Sequence, residues 1–202
     1  MKHPGRLLIY WDYELQRGAD VSPSGRHDWG IEDFRQTEKL LELLDQYQVK
    51  TTFAVVGFAA LDGELPYHAP AQIREIARRG HEVASHTWMH DWVPGLTYIQ
   101  LLETLRKSKE QLEVVTGQPV ISFAPPWNAP RTFLQRTSIG LYDRRRNGRP
   151  HTDIPTLCRA LRETGYQTAR IAYEPLHHML LRRLTGKAVK LPTQEEWIEG
   201  IL

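Results

Sequence analysis

Apolar positions along the chain follow two patterns, short continuous runs and longer stretches with apolar residues three and four apart. Short β-prone runs predict buried strands, and the longer periodic stretches predict helices. The predicted strands lie at residues 7–11, 51–56, 81–85, 120–124, 167–173 and 187–191. The predicted helices lie at residues 32–48, 70–79, 97–116, 153–163 and 175–184, with a last helix beginning near Thr193.

Strands and helices therefore alternate through most of the sequence, which favours parallel β/α units. Two long connections interrupt the alternation, at residues 15–30 and 129–152. Long connections in compact α/β domains are often functional. No linker-like stretch divides the chain, so we expect a single domain over residues 1–202.

Composition narrows the class of protein only moderately. The 202 residues are 41% hydrophobic and 25% charged, with a net charge of +2, which is ordinary for a globular protein and does not indicate a nucleic-acid partner. The single cysteine, Cys158, allows no intrachain disulfide. The N-terminal segment has no secretory pattern and no apolar run is long enough to span a bilayer. We therefore expect a cytoplasmic protein without an integral membrane segment.

Two acidic side chains follow the first predicted strand. Asp12 and Glu14 stand two residues apart in the run YWDYE, so on an extended segment both point to the same side. Functional sites of parallel β/α folds form at the carboxyl ends of strands, which makes both carboxylates candidate site residues. Acids near strand ends also cap helices or lie in solvated loops, and the pair alone does not decide between these roles.

Two histidines follow the third predicted strand. His86 and His90 stand four residues apart in the run GHEVASHTWMH, and one helical turn over residues 87–90 would place both rings on one face. Two imidazoles and one carboxylate form a ligand set for a catalytic divalent metal ion, with a position left for water. The second carboxylate could then accept a proton from that water. In a chain with nine histidines the spacing can also arise by chance.

Taken together and in this order, the motifs resemble the polysaccharide deacetylase family, the NodB-like domain of carbohydrate esterase family four. The resemblance rests on the D-x-E motif at the first strand end, the strand TTFAVVG, the motif RRGHEVASHTWMH and the run ISFAPPWN. It covers residues 7–128 and continues weakly to residue 173. It implies an α/β fold built as a distorted or incomplete (β/α) barrel.

The resemblance assigns roles to individual residues. Asp12 matches the catalytic base, and Glu14, His86 and His90 match the metal ligands. The implied metal is Zn²⁺, with Co²⁺ or Ni²⁺ as alternatives. The substrate contacts implied by the groove motif and its surroundings are Trp88, Pro126, Trp127, Asn128 and Arg131.

The sequence departs from the family pattern at three points. Glu14 is longer than the aspartate that the family usually has as its ligand. The family also has an arginine in the groove motif that orients the base, and Arg131 is the candidate replacement here. Finally, the family ends with a leucine–histidine motif whose histidine protonates the leaving amine. His177 and His178 are the nearest candidates, although the default interpretation of each is a structural or surface histidine.

The resemblance implies a metal-dependent hydrolase that removes an N-acetyl group from a sugar or polysaccharide precursor. Two alternatives stay open. One is a related hydrolase of another non-peptide C–N bond, in an imide, ureide or formamide. The other is a catalytically weak carbohydrate-binding member of the fold, which the missing arginine and terminal histidine motif would favour. Asp12 beside a complete ligand set favours an enzyme instead.

Overall fold

The computed structural model describes residues 8–22, 25–130 and 151–171, together with Leu184. The chain divides into two compact units, one of residues 1–90 and 106–120 and one of residues 91–105 and 121–202. The predicted strand at 187–191, the predicted helix at 175–184 apart from Leu184, and the helix predicted from Thr193 lie outside the described residues. The assignment of residues 1–202 to a single domain stays a prediction.

Among its described residues, the first unit contains three parallel strands in the order β1–β2–β3. Tyr10 of β1 is paired with Thr52 of β2, and Thr52 is paired with Glu82 of β3. The strands are β1 (Tyr10–Tyr13), β2 (Thr52–Val55) and β3 (Glu82–Ser85). The helices are α1 (Leu15–Val21), α2 (Trp29–Gln46), a 3-10 turn (Gly57–Ala60), α3 (Pro70–Arg78) and the second half of α4 (Tyr98–Thr116).

The core of the first unit lies between these strands and helices. All four residues of β2 are buried, as expected for a strand covered on both faces. Tyr13 is 1% exposed, and its hydroxyl donates a 2.7 Å hydrogen bond to Oε1 of Gln72 on α3. The ring of His81 meets Phe53 edge-on, with 5.4 Å between the ring centroids. These contacts fix the strands whose carboxyl ends carry the candidate site.

Two predictions for the first unit are wrong in detail. The first strand was expected at residues 7–11, with Asp12 as its boundary, but β1 continues to Tyr13 because Tyr13 is paired with Val55 of β2. Residues 15–30 were expected to form a long connection, yet they contain α1. This helix is short and polar and includes Gly18, so it has no apolar period that the sequence pattern could reveal.

The described part of the second unit contains two parallel strands and the first half of α4. Ser122 is paired with Thr168, and Asp153 caps the last described helix by accepting a 2.9 Å hydrogen bond from the Thr156 N–H. The Tyr166 hydroxyl donates to the Leu105 carbonyl at 3.0 Å. The elements are β4 (Ser122–Phe123), a 3-10 turn (Pro126–Asn128), α5 (Ile154–Glu163) and β5 (Thr168–Ala169).

The alternation of parallel strands and helices in both units confirms the expected α/β class. Among the described residues, no helix combines the length and the apolar character needed to cross a lipid bilayer.

Candidate metal centre

Glu14, His86 and His90 converge at the carboxyl ends of β1 and β3. Each offers one ligand atom, and the three atoms lie within 4.8 Å of one another. Oε1 of Glu14 lies 2.9 Å from Nε2 of His90 and 3.4 Å from Nε2 of His86. The two imidazole centroids are 5.1 Å apart. Both histidines are buried and Glu14 is partly buried, so the cluster is shielded from most of the solvent.

The segment that carries the two histidines is not the helical turn that the spacing predicted. Thr87 and His90 have φ values of 64° and 58°, in the left-handed region that residues with a side chain rarely adopt. The His86 N–H donates to the Val55 carbonyl at 2.8 Å, which fixes the start of the segment against β2. The rings therefore meet because of an irregular loop after β3 rather than because of helical periodicity.

Hydrogen bonds from the 3-10 turn after β2 hold this loop. The N–H groups of Gly57 and Phe58 donate to the carbonyls of Thr87 and Trp88, each at 2.9 Å. Since both donors belong to one rigid turn, they fix two successive peptide groups between the histidines. Backbone strain of this kind persists only where the surroundings over-determine it.

Gly57 allows the loop to approach this closely. A Cβ atom at this position would lie 2.8 Å from Cα of Ser108 on α4 and 2.9 Å from Cε3 of Trp88. Both distances are shorter than van der Waals contact. The glycine is therefore required for the close packing of the turn, the loop and α4.

Glu14 lies in the turn between β1 and α1, where the backbone is also unusual. Leu15 has a φ of 49° and is fully buried. Oδ2 of Asp33, on α2, accepts hydrogen bonds from the N–H groups of Glu14 at 3.2 Å and Leu15 at 2.9 Å. A Cβ atom at Gly18 would lie 2.0 Å from Oε2 of Glu14. Gly18 thus leaves the space that the carboxylate occupies over the first turn of α1.

The electrostatics of the site favour a charged Glu14. Burial opposes its ionisation, but hydrogen bonds and charge interactions with His86 and His90 outweigh burial and hold the pKa of Glu14 well below its usual range. Asp33 behaves differently. Burial is the largest influence and raises the pKa of Asp33 to about 6, against the lowering effect of the two backbone N–H donors, and the negative Glu14 adds to the rise.

The chemistry of the three side chains fits a divalent transition-metal ion. Two imidazole nitrogens and one carboxylate oxygen form a common ligand set of catalytic zinc sites, which keep a further position for water or substrate. The three ligand atoms already face one another, so an ion would replace the hydrogen-bonded protons between them. The site can thus hold a metal ion with little rearrangement.

Asp12 is not a member of this group of three. It lies on β1 two residues before Glu14 and its side chain is exposed. A general base must be reachable by water and substrate, and the exposed position agrees with that requirement. The role of Asp12 stays a prediction.

Trp88 lies in the histidine-bearing loop and is only partly exposed. Phe58 meets its ring edge-on, with 6.2 Å between centroids, and Nζ of Lys107 lies 4.4 Å from the ring centroid. A cation at this distance is attracted by the aromatic face. These contacts pack the loop against the 3-10 turn and α4, and the predicted contact of Trp88 with substrate stays a prediction.

The other predicted substrate contacts do not belong to the first unit. Pro126, Trp127 and Asn128 form a 3-10 turn of the second unit, with Trp127 39% exposed. Their roles stay predictions. Arg131, His177 and His178 lie outside the described residues, so the candidate groove arginine and the candidate leaving-group acids also stay predictions.

Three residues that shape the site were not predicted from the sequence. These are Asp33 and Gly18, described above, and Arg17, whose Nε–H donates to the Met89 carbonyl at 3.0 Å. Gly18 carried a weak signal, because a glycine four residues after an acid lies beneath it on a helix. Asp33 and Arg17 carried none, since their contacts join positions that are distant in sequence.

Comparisons with known proteins identify the class to which this fold and site belong. The sequence model of the polysaccharide deacetylase family matches residues 28–136, more than half of the chain. The chain therefore belongs to the polysaccharide deacetylase family.

Individual relatives match over shorter stretches. The uncharacterized protein YlxY of Bacillus subtilis is 35% identical over 98 residues, which cover 48% of this chain and 28% of the relative. The peptidoglycan-N-acetylglucosamine deacetylase of Bacillus cereus is 27% identical over 90 residues, which cover 45% of this chain and 39% of that protein. The matches thus span well under half of either relative.

The fold is also found among solved structures. A family 4 carbohydrate esterase from Streptomyces lividans, solved in complex with acetate, superposes with a TM-score of 0.52 and 18% identity. The match covers 81% of this chain and 61% of the esterase. This likeness confirms the fold class expected from the sequence, the distorted or incomplete (β/α) barrel of the polysaccharide deacetylases.

Proposed function

We propose that this chain is a metal-dependent hydrolase that removes an N-acetyl group from a sugar or polysaccharide precursor. The observation that carries the proposal is the convergence of Glu14, His86 and His90 within 4.8 Å at the carboxyl ends of β1 and β3. Membership of the polysaccharide deacetylase family supports the choice of an N-acetylated glycan as the substrate. The cytoplasmic location stays a prediction from the sequence.

In the proposed reaction, Glu14, His86 and His90 hold the ion and Asp12 acts as the base. A divalent ion bound there, most simply Zn²⁺ with Co²⁺ or Ni²⁺ as alternatives, would polarise the acetamide carbonyl and lower the pKa of water. Asp12 takes the proton of the attacking water, whose oxygen adds to the carbonyl carbon. The C–N bond then breaks, the nitrogen takes up a proton, and acetate and a free amine leave. His177 and His178 are the candidate donors of that proton.

The charge of Glu14 suits this chemistry. Its pKa is held below the usual range, so it stays an anionic ligand throughout the neutral range and needs no deprotonation to bind a cation. Asp12 is a separate carboxylate in an exposed position, and we assign the proton transfer to it. The two acids of the D-x-E motif would thus have different tasks, one at the metal and one at the water.

Metal content tests the first part of the proposal. Elemental mass spectrometry of the purified chain should find about one divalent ion per molecule, and His86→Ala should lose it because a three-ligand site then has only two ligands. His27→Ala is a matched control, since His27 is exposed in the connection between α1 and α2. Absence of any ion after incubation with zinc, cobalt and nickel salts would reject the metal-dependent mechanism.

Acetate release from N-acetylated oligosaccharides tests the second part. Asp12→Asn should keep the metal but lose turnover by roughly 10²–10⁴-fold, the usual contribution of a general base. Full activity of this variant would remove Asp12 from the mechanism. A wild-type chain that binds metal and glycan but releases no acetate would favour the carbohydrate-binding alternative.

A further inference from the structure

We propose that Asp33 is a positioning residue that sets the metal ligand Glu14 through the main chain. The inference deepens the proposed function and rests on it for the metal. Oδ2 of Asp33 accepts hydrogen bonds from the N–H groups of both Glu14 and Leu15. No motif of the sequence suggests this contact, because Asp33 lies 19 residues from Glu14 in the chain.

The contact supplies a hydrogen-bond acceptor for the first N–H group of α1, that of Leu15. The first N–H groups of a helix have no acceptor within the helix, and a side chain at the N-cap position commonly accepts a hydrogen bond from one of them. Glu14 occupies the N-cap position of α1 but makes no such bond. Its carboxylate turns instead toward His86 and His90.

Asp33 accepts from the N–H groups of Glu14 and Leu15, and the Pro66 carbonyl accepts from the N–H of Gln16 at 3.0 Å, so the start of α1 has acceptors other than the Glu14 side chain. With these acceptors in place, the Glu14 side chain is released for the metal site. Gly18 completes the arrangement by leaving room for Oε2 of Glu14.

The backbone beside Glu14 needs this support. Leu15 has a positive φ of 49°, a conformation that L-residues adopt rarely and only when the surroundings impose it. The two hydrogen bonds to Asp33 and the complete burial of the Leu15 side chain impose it here. Loss of Asp33 would let this turn relax and carry the Glu14 carboxylate away from the histidines.

The first test uses the metal-free protein, so it does not depend on the proposed function. The imidazole ¹⁵N chemical shifts of His90 report its 2.9 Å contact with Glu14. Asp33→Ala should shift them toward the values of Glu14→Ala, and Asp33→Asn, which keeps an oxygen acceptor, should leave them near wild type. Glu42→Ala is the matched control, because Glu42 is an exposed acid of the same helix.

A second readout uses Co²⁺ alone as the probe. Residues that orient a metal ligand typically contribute 10–100-fold to metal affinity, so Asp33→Ala should weaken Co²⁺ binding by that factor and alter its visible absorption spectrum. Asp33→Asn should restore most of the affinity. A wild-type chain that binds no Co²⁺ would count against the proposed function, while the His90 shifts would still decide the role of Asp33.

Two outcomes would overturn the inference. One is a folded Asp33→Ala chain whose His90 shifts equal those of wild type. The other is an additional shift when Asp33→Ala is introduced into Glu14→Ala, because a residue that acts through Glu14 has no further effect once Glu14 is gone. If Asp33→Ala does not fold, Asp33→Glu is used in its place, because one extra methylene displaces the acceptor oxygen. Unchanged His90 shifts in Asp33→Glu would then reject the inference.

Discussion

Two acidic residues, Glu14 and Asp33, have separate tasks at the start of α1. Asp33 accepts the N–H groups at the start of α1, and Glu14 faces the histidines. Gly18 makes the second task possible, because any side chain there would occupy the position of the Glu14 carboxylate. Glu14, which is longer than the aspartate that the family usually has, thus lies in the space that Gly18 leaves open.

The variant Gly18→Ala tests whether Glu14 needs this space. Alanine in place of a helical glycine normally stabilises by roughly 0.5–1 kcal/mol. Here we expect the opposite, a fall of at least about tenfold in metal affinity, since displaced ligands cost affinity on the 10–100-fold scale. Chelator competition measures the affinity. Asp20→Ala, an exposed change on the same helix, is the control, and unchanged affinity in Gly18→Ala would show that Glu14 has another way to reach the histidines.

The residues of the site were only partly predictable from the sequence. Spacing pointed to His86, His90 and two carboxylates, the family resemblance implied that Glu14 is the ligand, and the structure brings these three together. The sequence could not reveal Asp33, because its acceptor role depends on how α2 packs on α1. It also predicted the wrong backbone for residues 87–90, since a four-residue spacing is compatible with a helical turn as well as with the irregular loop that exists.

At the scale of elements, the loop after β3 depends on its neighbours. The 3-10 turn after β2 donates to two of its carbonyls, and Gly57 gives the turn its close approach to Ser108 on α4. The bounds of long helices were predicted closely, because their apolar period repeats over many turns. The helix predicted at residues 97–116, for example, is α4 at Tyr98–Thr116. The short strands β4 and β5 were predicted too long, since an apolar run does not show how many of its residues find partners.

Gly57→Ala tests the packing of these elements. An added methyl group would meet the main chain of Ser108 and the ring of Trp88, and overpacking of this kind typically costs about 1–3 kcal/mol. Urea unfolding should show a loss of that size. Glu110→Ala, an exposed change on α4, serves as the control. Unchanged stability in Gly57→Ala would mean that the turn and α4 can separate without cost.

At the scale of the whole molecule, pH acts on stability through a buried histidine remote from the metal ligands. His81 is 2% exposed, and burial, with a further contribution from nearby Lys50, lowers its pKa below the usual value. The folded state therefore holds this ring neutral at pH values where the unfolded chain, with a histidine pKa near 6.5, already binds a proton. The neutral His81 ring contributes to folding stability at neutral pH, and this contribution is lost as the pH falls below about 6.5 toward the lowered pKa of His81.

This dependence predicts a difference between wild type and His81→Gln. Glutamine does not titrate, so the free-energy difference between the two proteins should shrink as the pH falls from about 7.5 to 5, across the histidine pKa of the unfolded chain. Urea unfolding at several pH values measures it. Parallel stability curves for the two proteins would show that His81 does not contribute to the acid sensitivity of the fold.

Glu14 and His90 are 76 positions apart in the sequence, and this separation has a thermodynamic consequence. An unfolded chain must close a loop of this length before both side chains can reach one ion, so binding strongly favours the native state. Each tenfold excess of free ion over its dissociation constant then adds about 1.4 kcal/mol to the free energy of unfolding. The thermal midpoint should accordingly rise with ion concentration and fall on dialysis against a chelator, so the ion would act as a reversible cross-link between distant segments of the chain.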